Sequence, residues 1–244
     1  MTNGKKTIAA AALALLGTAA LAAPAAADET LRYDWKLRGL LSWVAGVKFP
    51  TSGTGILQTS PRGANVDSQL RVHAGGKDYI EYRSSMDASR RTLASVNGYS
   101  FGSKTERKES VYDYDANVVH VADRDAGQPV ETKTRPLAVE DARDVLTTIT
   151  YLREHAASIG GPLTTDVYSD GKPYRVTIKP EGVKSAEWQG HQVPARVFHV
   201  VAAPGAQKKF PGLTVWLSED GQHLPLRIML EQQFASIDLK LRGV

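Results

Sequence analysis

The stretch AVEDARDVLTTITYLREHAA, residues 138–157, is the segment between long runs of strand-like sequence that reads as an α-helix. Ala138, Ala142, Val145, Leu146, Ile149, Leu152 and Ala156 recur at the i, i+3, i+4, i+7 spacing of one helical stripe, and the remaining face is polar. Glu140, Asp141 and Asp144 fall near the expected start and Arg153 and His155 near the end, the order of charge that complements a helix dipole. Pro136 ahead of the segment and Gly160-Gly161-Pro162 behind it supply a start and a stop. At ~1.5 Å per residue the predicted helix is about 30 Å long, enough to cross the face of a medium-sized sheet.

On either side the rhythm is that of strands. Leu31, Tyr33, Trp35 and Leu37 share one face of an alternating run that extends to Phe49, and Gly53 to Thr59 follows as a second strand before the turn Ser60-Pro61-Arg62-Gly63. Val66 to Val72 and Asp78 to Arg83 form a hairpin around Gly75-Gly76. Arg91–Val96 and Tyr99–Thr105 read as separate strands about an Asn97-Gly98 turn, followed by Ser110–Tyr114 and Val118–Ala122, with Asp123 to Pro136 as a loop or edge strand. After the helix come Leu163–Tyr168, Tyr174–Lys179, Val183–Trp188, Val193–Ala202, Leu213–Leu217, Leu226–Gln232 and Phe234–Leu241. Helices between the strands are missing, which excludes a doubly wound α/β fold. The expected architecture is mainly β: a curved antiparallel sheet of about a dozen strands forming a half or near-closed barrel, with one long helix in its concave face.

The first 27 residues read as an export signal, with Lys5 and Lys6, an apolar run from Ile8 to Leu21, and a small-residue cleavage site at Ala25-Ala26-Ala27. Residues 28–244 then form a single β-rich domain expected in the periplasm, with no transmembrane span. Its loss removes two of the 30 basic residues, so 28 face 26 acidic ones and the net charge falls from +4 to +2. No basic stripe of the kind that nucleic acid requires is present. The chain has no cysteine, which excludes disulfides, thiolate metal sites and lipid attachment to an N-terminal cysteine.

Gly98-Tyr99-Ser100-Phe101-Gly102 matches the G-x-S-x-G pattern of a nucleophile elbow, but no helical stripe follows, so the reading is a hairpin and an esterase built on Ser100 ranks last. Asp113-Tyr114-Asp115-Ala116-Asn117 opens like a calcium loop, yet Val118 stands where glycine is needed and Arg124 where the bidentate glutamate belongs. The six histidines form no metal-binding spacing, and no cofactor or metal is expected. Trp35 and Trp216 are mid-strand and are expected to point inward.

Three places carry a family resemblance: Tyr33 to Phe49 with Gly46, Asp144 to Arg153, and Leu213-Thr214-Val215-Trp216-Leu217-Ser218-Glu219-Asp220 followed by Leu224-Pro225-Leu226-Arg227. In these the chain resembles the exported bacterial family known as domain of unknown function 3108. The resemblance implies a periplasmic β-rich protein similar to the half-barrel lipoprotein carriers of the bacterial envelope, and no activity. The expectation is a non-enzymatic binding or carrier protein for a lipid or other hydrophobic envelope component, with Val145, Leu146, Ile149 and Leu152 as the floor of its site and Trp35 and Trp216 in the wall. The alternative is an envelope scaffold with a packed core and a protein partner, marked by the lack of any cavity above roughly 300 Å³.

Overall fold

The computed structural model describes residues 28–39, 50–231 and 236–244. The export signal of residues 1–27, the strand reading beyond Gly39, and Gly46 therefore lie outside the described residues. The strands are β1 (Glu29–Arg38), β2 (Ser52–Arg62), β3 (Asn65–Gly75), β4 (Asp78–Met86), β5 (Thr92–Phe101), β6 (Lys104–Asp113), β7 (Val118–Asp125) and β8 (Glu131–Pro136). The helix α1 (Val145–His155) follows, then β9 (Leu163–Ser169), β10 (Lys172–Trp188), β11 (His191–Ala202), β12 (Leu213–Ser218), β13 (Pro225–Glu231) and β14 (Ser236–Gly243). Among the described residues all the strands join one 14-stranded sheet in the order β8-β7-β6-β5-β4-β3-β2-β1-β14-β13-β12-β11-β10-β9, and every neighbouring pair is antiparallel.

From β1 in the middle of the sheet the chain meanders to the β8 edge, crosses through α1 to the β9 edge, and meanders back until β14 pairs with β1. The sheet is curved and does not close into a barrel. Its ends nevertheless approach each other: the Tyr112 and Tyr168 rings meet edge to face at 5.5 Å, and Asn97 Nδ2 donates to Asp170 Oδ1 at 3.0 Å. The β8 edge is ETKTRP, short, charged and closed by proline, which discourages pairing with another chain.

Strand alternation decides what faces the core. Leu31, Tyr33 and Trp35 on β1, Leu70 and Val72 on β3, Leu213, Val215 and Leu217 on β12, and Leu239 and Leu241 on β14 are all buried in one cluster with Val145, Leu146, Ile149 and Leu152 of α1. The helix packs against β3, β4, β9 and β12. Its last turn is fixed by Arg153, whose guanidinium donates to both oxygens of Glu29 at 2.6 and 2.9 Å and to the His223 carbonyl at 3.2 Å.

The helix is shorter than the sequence pattern predicts. It begins at Val145, not Ala138, and its 11 residues span about 16 Å. The apolar spacing of Ala138 and Ala142 is compatible with a helix, but the backbone there is used elsewhere. The Ala142 carbonyl accepts from Thr92 N at 2.9 Å, the Arg143 carbonyl accepts from Tyr168 N at 2.7 Å, and Arg143 forms a parallel bridge to Val167. Asp144 is the N-cap. Its Oδ1 accepts from Thr147 N at 2.9 Å, while its own N–H reaches Thr147 Oγ1 at 2.7 Å, a reciprocal capping box. Ser84 Oγ donates to the other carboxylate oxygen.

Two further expectations change. Asn97-Gly98 is not a turn but lies inside β5, opposite Lys108 and Arg107, and the turn falls at Gly102, where φ is +59°. A Cβ on Gly98 would stand 3.1 Å from the Glu106 carbonyl, so the glycine answers to close strand approach. The strands expected at Tyr174–Lys179 and Val183–Trp188 are one strand, β10, broken in register between Pro180 and Val183.

Burial holds the Asp144 carboxyl above its ordinary value of 3.8, against the lowering effect of its Ser84 and Thr147 hydrogen bonds. Its contribution to stability is therefore full below the unfolded value and is lost as pH rises through the folded one. Asp144→Asn keeps a good N-cap and should abolish that decline, read as the difference from the parent in denaturation midpoints across an acid-to-neutral pH series. Asp144→Ala removes the cap and the titrating group together, so it should cost about 1–2 kcal/mol at acid pH and less as pH rises.

Candidate functional site

The residues expected to form the floor of a binding site are brought together, but they are packed. Leu146, Ile149 and Leu152 are at most 2% exposed, and Val145 is buried beside them. They belong to the continuous core and border none of the cavities described below. The open space on the core-facing side lies instead beyond the reach of the short helix, toward the far ends of β1, β3, β4 and β5.

There, Trp35, Leu37, Pro50, Val72, Ala74, Ile80, Phe101 and Ile237 line an apolar cleft of about 180 Å³. Trp35 is its anchor. The indole Nε1 donates to the His73 carbonyl at 2.7 Å, so the ring lies across β2 toward β3. Gly53, paired with Trp35, permits this: a Cβ there would fall 2.1 Å from the His73 carbonyl oxygen and 2.7 Å from the indole nitrogen. Gly55, paired with Tyr33, makes the same allowance for Leu239, which would stand 2.8 Å from its Cβ. The Tyr33 hydroxyl donates to the Pro225 carbonyl at 2.9 Å, and burial pushes its pKa far up.

Trp216 is not in that wall. On β12 it alternates with the buried Val215 and Leu217, which places it on the opposite side of the sheet. Arg227 from β13 lies over its ring, 4.4 Å from the centroid, and donates in turn to both oxygens of Asp238 at 2.6 and 2.9 Å. The inward expectation fails because a mid-strand position fixes alternation, not which of the two faces is covered.

A second, polar pocket of about 220 Å³ adjoins the cleft and shares Ile80 with it. It is enclosed by β4, β5 and β6 on one side and by the β9–β10 turn, Tyr174 and Pro211 on the other. Glu106 accepts from Lys108 and, at 2.9 Å, from the Tyr99 hydroxyl, and these bonds hold its carboxyl below the usual range. Burial would lower the Lys108 ammonium, but the Glu106 bond and the nearby charges of Asp170 and Asp123 outweigh it and raise its pKa. Tyr82 is pushed up to about 12, chiefly by burial and secondarily by Asp170, so its hydroxyl remains a donor at neutral pH. Glu106, Asp123 and Asp125 approach closely enough to share a cation, but the Lys108 ammonium already sits against Glu106 and 3.9 Å from Asp123.

Ser100 lies on β5 just before a hairpin turn, with its Oγ 3.4 Å from Thr105 Oγ1, and no helix follows. The cleft residues missed by the sequence reading, Leu37, Val72, Ala74, Ile80 and Phe101, were visible only as alternating positions on four strands. Knowing that they meet required the pairing register.

The model of a family described as a protein of unknown function, DUF3108, matches residues 33–242. No curated protein matches the chain. Among solved structures, the lipoprotein LppX of Mycobacterium tuberculosis is similar at 13% identity over 87% of this chain and 84% of that one, with a TM-score of 0.29.

Gly53→Ala should destabilise the protein by about 1–3 kcal/mol, since neither the His73 backbone nor the Trp35 ring can yield without breaking their hydrogen bond. Denaturation followed by indole fluorescence checks this, and Gly221→Ala, at a glycine where a Cβ meets nothing within 4 Å, is the matched control.

Proposed function

The chain belongs to the DUF3108 family, and we propose that it is a non-enzymatic periplasmic binding or carrier protein for a hydrophobic envelope component, held at the Trp35 cleft. The observation that carries this reading is the apolar cleft itself, walled by residues of β1, β3, β4, β5 and β14 around a hydrogen-bonded indole. An apolar concavity fixed by a few oriented groups is the usual form of a small-molecule site. At about 180 Å³ the cleft takes one end of an elongated apolar group, not a whole lipid. The site residues in this reading are Trp35, Leu37, Val72, Ala74, Ile80 and Ile237, and the α1 stripe serves as the packed support behind them.

A second reading is favoured by one observation. The helix stripe is fully packed, as in an envelope scaffold acting through protein contacts.

Solvent extraction and mass spectrometry of the protein purified from periplasm separate the two. A near-stoichiometric apolar molecule is expected, reduced about tenfold in Leu37→Asp, which puts a charge on the half-buried rim of the cleft. Folded protein with no apolar molecule attached would leave the scaffold reading.

A further inference from the structure

We propose that the apolar cleft and the adjoining polar pocket form one site for a single-tailed amphiphile with an amine head group, the tail in the cleft and the ammonium against Asp170. This rests on the hydrophobic-ligand reading above and adds the chemistry of the head group.

Three observations converge. The two cavities share Ile80, and the Tyr99 and Phe101 rings, 5.9 Å apart, stand one in each lining, so the spaces run side by side along the same face of β4 and β5. Their combined room exceeds what the cleft alone offers and changes from apolar to polar along its length.

The polar end is not self-satisfied. The hydroxyls of Tyr82 and Tyr174 line the pocket without a hydrogen-bond partner among the described residues. Asp170 Oδ1 accepts from Asn97 Nδ2, and its second oxygen accepts nothing among the described residues. The phenols can donate or accept, and the Asp170 oxygen can only accept, so it is the carboxylate that calls for a donor-bearing ligand.

The balance of charge selects the sign. The one ammonium in the lining, Lys108, is taken up by Glu106 and feels Asp170 and Asp123 from farther off, and Asp170 has no cation within salt-bridge distance among the described residues. Asp125 and Lys104 line a neighbouring hollow that shares Tyr99 and Glu106 with this pocket, and Arg135 acts on Tyr174 from farther off. An anionic head would enter against Asp170 and Asp123 to reach a lysine already engaged. An ammonium finds the free Asp170 oxygen and two phenol acceptors.

The experiment is calorimetric titration of the purified protein, stripped of bound lipid, with dodecylamine, dodecyl glucoside and dodecanoate, which share a tail and differ in head. Dodecylamine is expected to bind about tenfold more tightly than the glucoside, and dodecanoate most weakly. Asp170→Asn suits the turn, since asparagine accepts the positive φ of +52° found there, and should erase the preference for the amine over the glucoside. Tyr82→Phe should reduce amine binding in the same direction, by a few-fold. Equal binding of all three probes, tighter binding of dodecanoate, or an amine preference that survives Asp170→Asn would overturn the head-group assignment and leave the hydrophobic-ligand reading standing. Failure of all three probes to bind a folded protein would remove both.

Discussion

The two edge strands of the sheet, β8 and β9, are consecutive in the chain, and that fact dictates the shape of the molecule. Laid flat, fourteen strands at about 4.8 Å spacing would put those edges roughly 60 Å apart. The connection between them instead touches both ends of the sheet at once. Leu137 N donates to the Asn117 carbonyl, Thr92 N to Ala142 and Tyr168 N to Arg143, so the β6–β7 turn, β5 and β9 are bonded through one short lead-in. Only a strongly curled sheet permits this, and the curl creates the concave face that α1 then covers.

Covering is where local and global requirements meet. Asp144 must end an extended segment and begin a helix within one residue, and it does so with a buried carboxyl group that accepts from Ser84 and Thr147 while its backbone N–H donates to the Thr92 hydroxyl. Burial makes that ionised group costly, while removing it would orphan several buried donors. The helix that results is half the expected length, so its stripe fills the middle of the concavity and stops short of the Trp35 end.

Much of the fold is legible in the sequence because period-two alternation survives in β1 and β3, where single-face burial locks register. The helix start was not legible, since Ala138 and Ala142 fit a helical stripe and an extended edge equally well. Asn97-Gly98 has the composition of a hairpin turn, but in the fold the asparagine reaches Asp170 and the glycine admits a neighbouring strand. The site was partly legible. Trp35 could be picked out as a large aromatic on an inward-alternating strand, whereas Trp216, with the same local signature, lies outside beneath Arg227. The helix residues were correctly placed in the core, and it is their packing that removes them from the cleft.

The pairing of β1 with β14 sets the order in which the molecule can be completed. The earliest and latest strands meet at the centre of the sheet, with Tyr33 beside Leu241 and Trp35 beside Leu239. Whichever end of the chain is made or delivered first, the middle of the sheet waits for the other end, and loop closure over nearly the whole sequence precedes it. Until then each half presents an unpaired strand at its growing edge. The Trp35 cleft, built on that seam from β1, β3 and β14, is consequently among the last features to take shape, and a chain shortened at either end loses it before it loses either meander.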